Sequence, residues 1–212
     1  MPIKNYLDTL SRAGLFLVFL LTSHAFATET LILDEDIESQ NLYEFLEVLE
    51  EGPGDTWTIE EVLQKQGLFE PAQTNVQAEQ NTIVPASIMR ISKKYWFRFK
   101  VQNLQDRPLS WHLVFEGQPI TISFFQVDLQ GNIFALGEAG LNQPPSERPV
   151  KYYRPLTKVS TLPNSEHWVY VLLRHDQMFG DPRPLVERFA ILSSSGLLAR
   201  TDYVWFVGVL LG

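Results

Sequence analysis

Residues 95–116 alternate apolar and polar side chains with period two, and this pattern limits the possible folds more than any other stretch of the chain. Tyr95, Phe97, Phe99 and Val101 fall on one side of an extended backbone, and Trp96, Arg98 and Lys100 on the other. After a polar turn at 103–108 the alternation resumes, with Leu109, Trp111, Leu113 and Phe115 turned inward. Two such runs across a short turn predict an antiparallel hairpin with one buried face. Residues 120–128 predict a third strand, and the tight turn 130–132 leads into a fourth at 133–136. Extended segments follow at 150–153, 158–162, 167–173 and 185–192, and the run 167–173 is apolar on both faces, as a central strand would be. Short strands punctuated by Pro, Gly and Asn turns predict an all-β fold, an antiparallel β-sandwich of jelly-roll-like form. A doubly wound α/β fold is disfavoured, because helix-length amphipathic segments are missing between the strands.

Ahead of this region the texture is mixed. Residues 31–33 suggest a short strand, followed by the acidic turn 34–36. Leu42, Phe45, Leu46 and Leu49 recur at helical spacing, yet Tyr43, Phe45, Glu47 and Leu49 would also share one face of a strand, so this stretch reads either way. The turn 52–55 ends it. A short helix over 59–66 is predicted by the capping-box spacing of Thr58 and Glu61, by the stripe Ile59, Val62 and Leu63, and by Gly67 as its stop. Residues 70–87 are polar and interrupted by Pro71 and Pro85, and predict a long covering segment.

The two ends point to export and a membrane. Residues 1–27 have the layout of a signal peptide: Lys4 and Arg12, then an apolar core at 15–21, then Ala25 and Ala27 before a cleavage point at Thr28. At the other end, residues 203–212 are apolar and aromatic, about half of the roughly 20 residues a spanning helix needs. Tyr203 and Trp205 lie where an aromatic belt would sit. The expected organisation is a signal peptide at 1–27, a periplasmic β-sandwich at 28–198, and a linker with the start of a first transmembrane helix at 199–212, the chain being either a fragment of a longer molecule or a truncated gene product. The chain has no cysteine, which excludes a disulfide framework and lipoprotein processing, so the exported domain relies on its apolar core. A net charge of −8 without a Lys/Arg stripe argues against a nucleic-acid partner.

Three motifs in order carry a family resemblance. Residues 95–99, Tyr-Trp-Phe-Arg-Phe, with Asn103 behind them, are similar to an aromatic-Trp-x-Arg-Phe strand ending in Asn. Residues 57–62, Trp-Thr-Ile-Glu-Glu-Val, are similar to a short helix after an acidic turn, and residues 153–156, Tyr-Arg-Pro-Leu, to the segment after a central loop. Over residues 30–212 the chain resembles the periplasmic sensor domain, of the second type, of bacterial seven-transmembrane receptors with diverse intracellular signalling modules. The resemblance implies a fold like carbohydrate-binding jelly rolls and a role in ligand sensing coupled to a cytoplasmic output.

The outward face of the predicted hairpin is the first candidate site. Trp96, Arg98 and Lys100 would share it with His112 and Glu116, and an aromatic ring flanked by hydrogen-bonding groups is what sugar recognition uses. Alternatively Trp96 and Arg98 stack on one another, or are covered by residues 70–87, as a structural cation–π pair. Tyr153 and Arg154, beside Tyr152, form a second aromatic–basic cluster, or else satisfy a sandwich edge. His112, His167 and His175 lack the spacing of a zinc site, and Asp34, Glu35 and Asp36 suit a solvated turn better than a calcium loop, so no metal or cofactor is expected. No GxSxG, HExxH, P-loop or GxGxxG pattern is present, and catalysis is not expected. The expected function is a ligand-sensing periplasmic domain tethered to the inner membrane, with a small, carbohydrate-like or other ligand and a homodimer left open. An exported, non-signalling carbohydrate-binding or adaptor module is the alternative, and a secreted polysaccharide-active enzyme the third.

Overall fold

The computed structural model describes residues 29–34, 37–72, 93–117, 119–144, 146–148, 150, 154–175 and 189–198. The expected signal peptide, residues 73–87 of the expected covering segment, residues 151–153 of the extended segment at 150–153, the first part (185–188) of that at 185–192, and the run at 203–212 lie outside them. Among the described residues no helix is long and apolar enough to cross a membrane.

Eleven strands form two sheets in this part of the chain: β1 (Leu31–Leu33), β2 (Ser39–Asn41), β3 (Glu47–Glu50), β4 (Glu70–Pro71), β5 (Lys93–Asn103), β6 (Leu109–Phe115), β7 (Thr121–Asp128), β8 (Ile133–Ala139), β9 (Leu156–Thr161), β10 (Ser165–His175) and β11 (Phe189–Leu192). The larger sheet has the order β4-β3-β5-β10-β7-β8, with β1 pairing parallel to the end of β5; the smaller has the order β2-β11-β6-β9. Every other pairing is antiparallel. The all-β expectation holds, and β10 is central, between β5 and β7.

The predicted hairpin does not form. β5 belongs to the larger sheet and β6 to the smaller. The reason is edge availability: β10 runs along one side of β5, while β3 and β1 share the other, so no side remains for β6. The polar turn at 103–108 is instead a corner between sheets. Asn103 shapes it, donating from Nδ2 to the carbonyls of Arg107 and Leu162 at 2.9 Å each and accepting from the Gln105 N–H at 2.9 Å. The two apolar faces do both turn inward, and they meet across the core rather than side by side. Phe99 and Trp111 approach with ring centroids 6.2 Å apart, and Phe189 of β11 sits between Phe97 (4.9 Å) and Phe115 (5.0 Å).

The ambiguous stretch at 42–49 resolves into a turn followed by β3, which sends Val48 into the main core and Leu49 into a second one. The predicted helix is present as α1 (Ile59–Leu63). Its capping box forms as expected, with Thr58 Oγ1 accepting from Glu61 N at 3.4 Å and Glu61 Oε2 from Thr58 N at 2.8 Å. Gly67 is not the stop; it lies inside a 3₁₀ turn, Gln66–Leu68, that continues the helix.

This helical segment covers the outer face of the larger sheet. Ile59, Val62 and Phe69 pack with Leu49, Trp96, Val127 and Tyr170 into a second apolar cluster, separate from the core between the sheets. A third, smaller cluster lies on the smaller sheet: Val114, Leu156 and Leu192, with Leu197 of the helical residues 194–198 packed against them.

Candidate functional site

The seven residues singled out from the sequence fall in different places. Trp96 and Arg98 lie beneath the helical cover. Trp96 is 1% exposed, and its indole N–H donates to Glu51 Oε1 at 2.8 Å. Arg98 is also buried; its Nε donates to Glu47 Oε2, and its guanidinium lies between the rings of Phe69 (4.2 Å) and Trp168 (4.7 Å). Burial raises the pKa of the neighbouring Tyr170, with Arg98 acting against it. Lys100, further out, pairs with Glu166 at 2.5 Å beside Trp168. Arg98 thus makes a structural cation–π contact, with Phe69 and Trp168 rather than with Trp96, and among the described residues the cover comes from 57–69; residues 73–87 of the expected covering segment lie outside them. A ligand would reach Trp96 and Arg98 only if that cover lifted.

The other members lie apart from these three. His112 is buried on the smaller sheet opposite Lys158. Burial, then the Lys158 charge, lowers its pKa, while a bond with the Leu192 backbone acts the other way. Glu116 pairs with Arg154 at 3.0 Å, joining the end of β6 to the approach of β9. Tyr153 lies outside the described residues. The expected cluster of Trp96, Arg98 and Lys100 with His112 and Glu116 is thus divided, because β5 and β6 are in different sheets.

A cleft of about 730 Å³ opens instead beside β9, an edge strand of the smaller sheet, lined also by the β7–β8 turn and the start of β10. This volume falls within the range of small-molecule sites, about 300–1,000 Å³. Its walls come from both sheets, with Gln126 and Phe134 on β7 and β8, Lys158 and Ser160 on β9, and His167 at the start of β10. Two local devices hold it. Asp128 Oδ1 accepts from the N–H groups of Gln130 (2.9 Å) and Asn132 (2.8 Å), tightening the β7–β8 turn in which Gly131 takes φ +85°. The Asn132 side chain is the main reason the Asp128 pKa is lowered. On the far side, the pairing of β7 with β8 skips Leu136, a bulge whose carbonyl accepts from Thr157 Oγ1 of β9 at 3.0 Å. The bulge thereby ties the two sheets together next to the cleft.

His167 is the chemically distinctive member. It is 3% exposed, its Nε2 has no hydrogen-bond partner, and burial pushes its pKa down to about 4. Near neutral pH it is an uncharged imidazole with one donor and one acceptor nitrogen. A hydroxyl, which both donates and accepts, matches that ring. Phe134, half exposed on β8, offers an apolar surface at the mouth. Sequence reasoning considered His167 only as a metal ligand. The available signal was its parity with Val169, Val171 and Leu173, which puts an imidazole at the end of an inward apolar row. Among the described residues no group of acidic and histidine side chains could hold a metal ion.

Two stacked, largely antiparallel sheets with a cleft walled by both define a β-sandwich domain. The sequence comparison is more specific. The chain belongs to the 7TMR-DISM extracellular 2 family, 7TMR-DISMED2, whose pattern matches residues 44–179. The resemblance read from the motifs is borne out, and the family is an extracellular domain of membrane receptors. No curated protein matches the chain. Among solved structures it is similar to a GH2 beta-galacturonidase from Eisenbergiella tayi bound to glycerol, at 12% identity and TM-score 0.37, over 80% of this chain and 25% of that one. It is also similar to the enzymatically active domain of tailspike protein 4 of bacteriophage CBA120, at 16% identity and TM-score 0.22, over 48% of this chain and 14% of that one. A third likeness is to protein SO0799 from Shewanella oneidensis, at 15% identity and TM-score 0.15, over 52% of this chain and 67% of that one. The chain thus spans about a quarter of the length of the galacturonidase.

Proposed function

We propose that the chain is the ligand-sensing domain of a membrane-bound bacterial signal-transduction receptor, and that its ligand enters the His167 cleft. Membership of the receptor family carries the first part of this reading. The second rests on a buried, neutral imidazole whose Nε2 has no hydrogen-bond partner, in a cleft walled by both sheets. Its chemistry suits a carbohydrate-like ligand: hydroxyls for His167 and the Gln126 amide, and a C–H face for Phe134. In this reading residues 1–27 direct export, the sandwich lies in the periplasm, and the run from Tyr203 enters the inner membrane. A ligand that touches both sheets can favour one arrangement of the layers, and it shifts that equilibrium only by the difference in its affinity for the two states.

Fractionation of cells producing the full-length gene product, tagged at its C-terminus, tests the receptor reading. The protein is expected in the membrane pellet after a high-salt wash, with the sandwich open to protease added to spheroplasts. Release with the soluble periplasmic fraction would favour an exported module that does not signal.

A further inference from the structure

A second cavity, of about 290 Å³, lies where the chain leaves the sandwich. Leu33 at the end of β1, Leu109 of β6 and Ile191 of β11 give it apolar walls from both sheets, and Ser193, Ser194 and Ser195 line it from the exit segment. Trp111 also lines it. That indole is 4% exposed, and its N–H is one of the few buried polar groups among the described residues with no hydrogen-bond partner. Leaving a buried donor unanswered is costly, so such a group marks a place where an acceptor is missing. The charged residues at the cavity, Asp34 and Arg107, are opposite in sign, and neither is free of other interactions. They give no net preference for an ion.

The exit segment that lines the cavity is held closely. Ser193 N donates to the Glu38 carbonyl at 3.1 Å, Gly196 N donates to Ser193 Oγ at 3.0 Å, and a Cβ on Gly196 would lie 2.1 Å from the Glu38 carbonyl oxygen. Residues 194–198 then dock through Leu197 on the smaller sheet. A molecule in the cavity would therefore touch the core and the exit segment together.

We propose that this cavity is a binding site for a small uncharged molecule with an apolar body and one hydrogen-bond acceptor, the acceptor taking the indole N–H of Trp111. The site is distinct from the His167 cleft and does not depend on the ligand assigned there. By bridging Trp111 and residues 193–195, the occupant would fix the exit segment against the sandwich.

The indole N–H resonances of the isotopically labelled full chain test this. Five tryptophans give five indole signals, and Trp111→Phe identifies one of them. Cyclohexanone and 2-pyrrolidone serve as probes, with toluene as the comparison that fits the walls but lacks a strong acceptor. Both carbonyl probes are expected to shift the Trp111 indole signal saturably, and toluene to bind at least about tenfold more weakly. Ser194→Phe, a change at an exposed position of the lining, is expected to weaken both carbonyl probes by a similar factor while leaving the other four indole signals in place. An indole signal unmoved by either carbonyl probe would overturn the site. Equal binding of toluene would overturn the role given to the N–H.

Discussion

Trp96 on β5 donates its indole N–H to Glu51 Oε1 at 2.8 Å, joining two residues 45 positions apart. The same oxygen accepts from the Trp57 N–H at 3.2 Å, and Lys94 lies 3.4 Å from the other oxygen. Although Glu51 Oε2 has no hydrogen bond in the strict sense, it is therefore not without a counter-charge. This carboxylate pins the helical cover to the larger sheet. Replacing Glu51 by Ala strands two donors and a cation together, and a loss of about 2–4 kcal/mol is expected in denaturant unfolding. Glu51→Gln keeps an acceptor for the indole and should cost less than half as much.

Arg98 of β5 and Glu47 of β3 form a buried ion pair across neighbouring strands beneath that cover, with the guanidinium against Phe69 and Trp168. Removing one partner leaves a buried charge unanswered, so Arg98→Met and Glu47→Gln singly should each cost about 3–5 kcal/mol. The double change should cost clearly less than the sum. A double-mutant cycle measures the difference, and strict additivity would mean that the two residues act independently.

Phe189 joins the sheets through Phe97 and Phe115, and its side chain is fully buried. Phe189→Ala should lower stability by about 3–5 kcal/mol, from lost burial together with the cavity left behind. Thermal unfolding followed by near-ultraviolet circular dichroism reads it, since the packing of all three rings changes.

The pH dependence of stability has a definite sign. The pKa of His167 is about 4 when folded against 6.5 as an ordinary imidazole, so the unfolded chain binds more protons between those values. Stability is then highest above about pH 6.5 and falls as pH drops toward 4, by up to about 3 kcal/mol from this residue. His112, also lowered, acts with the same sign. In His167→Asn the unfolding free energy should lose much less between pH 7 and pH 4 than in the unchanged protein. Parallel curves would show that His167 does not carry this dependence.

Which of these features could be read from the sequence depends on the range of the interaction behind each. Alternation over 95–101 and 109–115 correctly identified the faces turned toward the core between the sheets, because side-chain direction is local to a strand, but it gave no sign that Trp96, Arg98, His112 and Val114 on the opposite faces are buried as well. It did not identify neighbours, since pairing depends on which edges β3, β1 and β10 occupy, and those segments are distant in sequence. The Thr58–Glu61 capping box and the Asp128–Asn132 turn were legible for the same local reason. Glu47 and Glu51 gave no local sign of being buried, because their partners come from β5. The cleft was missed for a related reason: β8, β9 and β10 form it only after their sheets have stacked.

Calorimetric titration with uncharged mono- and disaccharides, comparing the unchanged chain with His167→Phe, reads out where the sensor's ligand sits. A sugar is expected to bind the unchanged protein with one-to-one stoichiometry and the variant at least about tenfold more weakly, with the fold retained. A sugar held equally well by both proteins, or no sugar bound by either, would contradict the placement of the sensor's ligand in the His167 cleft.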